Sequence, residues 1–106
     1  MIPFDELRRS DTTVLFQGED DAPVSLFVVE YPRGRGPHLH LHPYPETFVV
    51  QSGTALFTAG DQQLTVTGGN IVVVPANTPH GFTNPHDDIL RAVSAHPSPR
   101  VIQTDL

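Results

Sequence analysis

The sequence contains no cysteine and no lysine. Without cysteine there are no disulfides, no thiolate metal sites and no cysteine nucleophile. Without lysine, all six basic residues are arginines, set against twelve acids for a formal charge of −6. That balance lacks the basic footprint needed by a nucleic-acid or anionic-membrane partner, and neither is expected. No apolar run approaches the roughly 20 residues that cross a bilayer. The first ten residues carry Asp5, Glu6, Arg8 and Arg9 and no apolar core of the secretory type, so a cytoplasmic location is the expectation. A chain of 106 residues can bury one core and little more, and residues 1–106 are expected to form one domain.

What is abundant is punctuation and histidine: eleven Pro, eight Gly and six His. The Pro and Gly separate short runs of β-branched and aromatic residues with no sustained helical period. Strands are expected at Thr12–Phe16, Val24–Tyr31, Glu46–Gln51, Thr54–Thr58, Gln63–Thr67, Ile71–Val74, His80–Asn84 and Ile89–His96, with a short last one at Val101–Gln103. Only Pro3–Arg9 reads as a turn or two of helix. Strands this short and this regularly spaced make an all-β sandwich or small barrel. The acids Glu19, Asp20 and Asp21 read as a solvated loop.

Three histidines fall in five positions, His38, His40 and His42, and an extended chain would place all three on one face. Glu46 follows across Pro43-Tyr44-Pro45, a turn that can bring it back to the same point. His80 is a fourth candidate from far along the chain. Neutral imidazoles and a carboxylate ligate divalent first-row metals. A polar strand face is the alternative reading of the same pattern.

The longer spacing adds weight to the metal. Gly34, His40, His42, Glu46 and Gly53 read G-x5-H-x-H-x3-E-x6-G, and Gly69, Pro75, Asn77, His80 and Asn84 read G-x5-P-x-N-x2-H-x3-N. These strings resemble the two signature motifs of the cupin superfamily. The first matches throughout; the second has Asn77 where the motif usually has Gly, a mild change because Asn tolerates the left-handed backbone. The spacer Thr54–Gly68 is short, as in compact cupins of the cupin 2 type. The resemblance implies a double-stranded β-helix, or jelly-roll, barrel. It also implies a divalent transition metal (iron, manganese, nickel, zinc or copper) held by His40, His42, Glu46 and His80.

His38 matches no ligand position, and three roles stand open for it: a rim residue, a partner of the site, or an alternative ligand. Alternation along Ile89–His96 turns Leu90, Ala92, Ser94 and His96 inward, which makes His96 either a plain hydrogen-bonded histidine at the barrel end or a candidate acid or base. By the same parity Phe48 and Phe82 line a substrate space or the core, with Phe57 and His38 as further pocket candidates. No arginine is placed to grip an anion, so the substrate is expected to be neutral or aromatic. The reading is a metal-dependent cupin acting on a small molecule, foremost a dioxygenase. A non-redox isomerase, lyase or cyclase and a non-catalytic metabolite binder are the alternatives. A homodimer is expected, with Thr12–Phe16 and Val24–Tyr31 as contact segments.

Overall fold

The computed structural model describes residues 1–106. One helical turn, α1 (Phe4–Leu7), precedes ten strands: β1 (Thr13–Glu19), β2 (Ala22–Tyr31), β3 (His40–Leu41), β4 (Glu46–Ser52), β5 (Thr54–Ala59), β6 (Gln62–Thr67), β7 (Asn70–Val74), β8 (His80–Thr83), β9 (Leu90–His96) and β10 (Thr104–Asp105). They form two five-stranded antiparallel sheets, ordered β1-β2-β9-β4-β7 and β10-β3-β8-β5-β6. This is the all-β jelly-roll architecture that the motifs imply.

The strands form where β-branched and aromatic residues alternate with polar ones. In β4 Glu46, Phe48 and Val50 point inward while Val49 and Gln51 face solvent. In β9 Leu90, Ala92, Ser94 and His96 are buried and Arg91 is exposed, as alternation requires. Between the sheets lies an apolar cluster of Phe48, Val50, Ala55, Phe57, Val66, Val74, Phe82 and Leu90. Its aromatic rings meet edge to face, with Phe48 5.0 Å from Phe57 and 5.5 Å from Phe82.

Turn residues fix the corners. Gly53 has φ +82°, and a Cβ there would stand 2.6 Å from the Ile89 carbonyl oxygen, so both conformation and space demand glycine. Asn77 occupies the left-handed region at φ 58°. Its amide donates to the His42 carbonyl at 2.7 Å, which clasps the loop before β8 to the end of β3. Asn84, fully buried, donates to the Tyr31 and Asp88 carbonyls at 2.8 and 2.7 Å and accepts from the His86 amide at 2.9 Å.

Several elements differ from the sequence expectation. The helix is four residues, not seven, because no buried face holds it. β1 runs on to Glu19, paired with β2 through a bulge at Gly18 up to the exposed turn Asp20-Asp21. The expected strand at Val101–Gln103 is absent; the terminal strand is Thr104–Asp105, paired with β3. The His38–His42 stretch is a strand for only two residues. β2 is hydrogen-bonded on both sides, to β1 and β9, so Val24–Tyr31 has no free edge for a subunit contact. The edge strands of that sheet are β1, whose start is bridged by Arg8 at Val14, and β7.

Candidate metal centre

The site is built at strand ends. His40 opens β3, His80 opens β8, Glu46 opens β4, and His42 lies just beyond β3. His40 and His80 are direct partners across the β3–β8 ladder. All four side chains are buried, and their ligand atoms lie within 4.8 Å of one another.

Each ligand histidine is oriented by a carbonyl behind it. His40 Nδ1 donates to the His38 carbonyl at 2.7 Å, His42 Nδ1 to the Ile102 carbonyl at 2.7 Å, and His80 Nδ1 to the Thr78 carbonyl at 2.8 Å. A carbonyl can only accept, so each Nδ1 carries a proton and each ring turns its Nε2 inward, where a neutral ring offers a lone pair; His80 Nε2 is aligned on Glu46 Oε1 and donates to it where it also carries a proton. Glu46 Oε1 lies 3.1 Å from His42 Nε2 and 3.0 Å from His80 Nε2. Lone pairs and a carboxylate converging this closely repel unless cations or protons lie among them. The spacing fits a metal: donors about 2.1 Å from one ion and at right angles to each other stand about 3.0 Å apart. His42 Nε2 is moreover buried with no aligned hydrogen-bond partner. The residues present therefore fit a divalent transition metal.

The electrostatics follow from burial and contact. Burial by itself would raise the Glu46 carboxyl, but the N–H groups that His42, His80 and His96 can present to it hold it well below the usual carboxylate range. Burial lowers His40 more than the His38 carbonyl raises it. For His42 burial also acts downward, yet Glu46 and the Ile102 carbonyl outweigh it and the net shift is upward.

His96 reaches the same carboxylate from β9. Thr47 pairs with Ala95, so the next step along the ladder sets Glu46 beside His96. His96 Nε2 is 2.9 Å from Glu46 Oε2, and its ring lies 4.5 Å from that of His42. On its far side His96 Nδ1 is 2.7 Å from the Tyr44 hydroxyl, which also accepts the Ile102 amide at 3.1 Å. Tyr44 stacks on His42 with rings 5.1 Å apart and nearly parallel. The sequence reading did not single out Tyr44; its place between two prolines and between His42 and Glu46 was the available signal.

A cavity of about 400 Å3 opens beside the cluster, between β1, β2 and β9 on one side and the metal ligands on the other. His40, Glu46 and His96 face it, with Phe27, Phe48 and Phe82 as aromatic wall. Its rim includes Val101 and Gln103 from the C-terminal segment, which is tied across the barrel by Ser25 Oγ to the Ser98 carbonyl at 2.7 Å and by the Val101 amide to Gln17 Oε1 at 3.1 Å. No arginine lines it. Phe48 and Phe82 belong to both cavity and core. Phe57 does not reach the cavity, because β5 turns it into the apolar cluster. His38 is exposed outside the cavity; β3 starts only at His40, so the strand parity that would turn its side chain inward never begins, and only its carbonyl serves the site.

A buried His/Glu cluster able to hold a metal thus sits inside a two-sheet β-barrel. Residues 27–96 match the family model of the cupin domain, well over half the chain, and the chain belongs to the cupin family. Among solved structures it is similar to an RmlC-like cupin family protein with a double-stranded β-helix fold from Methanocaldococcus jannaschii: 26% identity over 87% of this chain and 86% of that one, TM-score 0.72. A conserved protein with a double-stranded β-helix domain from Klebsiella pneumoniae shares 20% identity over 98% and 94% of the two chains, TM-score 0.80. The oxalate decarboxylase of Lactobacillus farciminis shares 18% identity at a TM-score of 0.80, over 96% of this chain but 34% of the larger enzyme. No curated protein matches significantly. No helix is long and apolar enough to cross a membrane.

Proposed function

We propose that the chain, with residues 1–106 working as one cupin domain, is a metal-dependent oxygenase, foremost a dioxygenase, for a neutral or aromatic small molecule. The observation that carries this reading is the cavity: about 400 Å3, walled by aromatic rings, open to His40 and Glu46, and without a single arginine. A dicarboxylate such as oxalate would find no cationic side chain there, so the likeness to oxalate decarboxylase speaks for the barrel and not for the substrate. His40, His42, Glu46 and His80 are the residues that would hold the metal. A bound redox-active metal would supply a site where dioxygen and an organic substrate meet. Phe27, Phe48 and Phe82 exclude water and stack on an aromatic or enolic ligand. His96 stands against Glu46 Oε2 at the cavity wall and is the group able to hold or move a proton there.

That same histidine supports a second reading, a non-redox isomerase, lyase or cyclase, in which the metal polarises a carbonyl and His96 handles the proton. A homodimer in the cytoplasm fits both, with the edge strand β1 as the contact. The deciding experiment is to purify the chain without a histidine tag, measure its metals, and screen small neutral carbonyl and phenolic compounds with and without dioxygen. Turnover that stops without dioxygen supports the oxygenase. Turnover that persists anaerobically, or that zinc alone sustains, favours the second reading, and a chain that takes up no transition metal sinks both.

A further inference from the structure

Tyr44 Oη has two polar neighbours. The Ile102 amide can only donate, so it hands its proton to the tyrosine oxygen at 3.1 Å. Among the protein groups beside it, the phenolic proton then has one acceptor, His96 Nδ1, at 2.7 Å. A neutral His96 that accepts at Nδ1 must carry its own proton at Nε2, the nitrogen 2.9 Å from Glu46 Oε2. The chain of donors runs one way, from the Ile102 amide through Tyr44 and His96 toward the carboxylate. It is the reverse of the arrangement at His40, His42 and His80, where a backbone carbonyl fixes a proton on Nδ1. Tyr44 is thus the difference between a metal-ligating histidine and a donating one.

We infer that Tyr44 is a positioning residue that locks His96 in the Nε2–H tautomer and so makes it a fixed hydrogen-bond donor where Glu46 meets the cavity. The His96 ring is held in place, with His42 edge-on at 4.5 Å and Phe27 at 5.2 Å, and it is fully buried. Its Nε2 is near Oε2 without being aligned on it or on any other acceptor. The atom itself is buried, at the wall of the cavity that His96 and Glu46 both line. Toward Glu46 it lies beside Oε2, while Oε1 faces His42 and His80. Orienting contacts of this kind are typically worth ~10- to 100-fold in metal affinity.

The inference rests on the metal reading only for the role of Glu46; the tautomer itself is a property of the metal-free chain, so the two can fail separately. Long-range 15N–1H correlation near pH 8 on the metal-free protein reads each histidine tautomer directly. The expected result is Nε2–H at His96 and Nδ1–H at His40, His42 and His80. Tyr44→Phe keeps the stack on His42 and removes only the hydroxyl; it should give a measurable Nδ1–H population at His96 and weaken Zn(II) about 10-fold against a competing chelator. Nδ1–H at His96 in the parent overturns the proposal without reference to any variant. An unchanged His96 tautomer in a folded Tyr44→Phe protein overturns it as well. A changed tautomer with unchanged Zn(II) affinity overturns the link to Glu46.

Discussion

His40 and His80 face each other across the rung that joins β3 to β8, and their ring centroids are 4.4 Å apart. They lie 40 positions apart in the chain, yet a shared ladder sets their distance and a local carbonyl two residues upstream sets each ring's direction. The His/Glu cluster is therefore preorganised by backbone pairing and not by flexible side chains.

Removing one member should be felt strongly. His80→Ala deletes a ligand that has its orienting bond already made, and affinity for Zn(II) or Co(II) should fall by more than the ~10- to 100-fold typical of an outer contact. Titration against a chelator checks it; parent-like affinity would remove His80 from the ligand set.

Metal should stabilise the chain. At a free concentration of 100 times the dissociation constant, linkage gives about 2.7 kcal/mol, and exhaustive chelation should take it away. Thermal unfolding with and without added Zn(II) measures the difference. The absence of any shift for every first-row divalent ion would contradict the proposed centre.

The apolar cluster and the cavity share Phe48 and Phe82, but Phe57 belongs to the cluster alone. Phe57→Ala should cost about 3–5 kcal/mol in urea unfolding and leave metal affinity within a few fold, because no ligand is held through it. A sharp drop in the metal affinity of the folded variant would show that core and centre are coupled.

Much of this arrangement was legible before folding, for identifiable reasons. The glycines and prolines of the two motifs sit where the chain turns, and Asn77 takes the left-handed conformation its side chain tolerates. Alternation placed Glu46, Phe48, Ser94 and His96 inward because β4 and β9 are long and paired on both sides. The same rule misjudged His38, since strand parity has no force where pairing starts two residues later. The prolines around Tyr44 marked a turn, but its role and that of Ile102 were out of reach, because they depend on the C-terminal segment crossing the barrel to β3, a pairing of two residues that leaves no pattern in the sequence.

The shifted groups predict an unusual pH profile. In the metal-free chain His40 is lowered on folding, so its contribution is lost as pH falls below its unfolded value of about 6.5. Glu46, also lowered, contributes above its unfolded value of about 4.3 and loses that contribution as pH falls through its folded value. His42 is raised, so its contribution is complete below about 6.5 and is lost as pH rises through its folded value. These opposing slopes place the stability maximum of the metal-free chain near pH 6.5. A bound metal needs His42 neutral, so its stabilisation grows as pH rises through that same range. The maximum of the loaded protein must then lie at higher pH. Urea unfolding between pH 5 and 9, with chelator and with Zn(II), compares the two curves directly. Coincident maxima would mean that His42 does not exchange its proton for the metal, and a metal-free chain that grows steadily more stable up to pH 8 would reverse the sign assigned to His42.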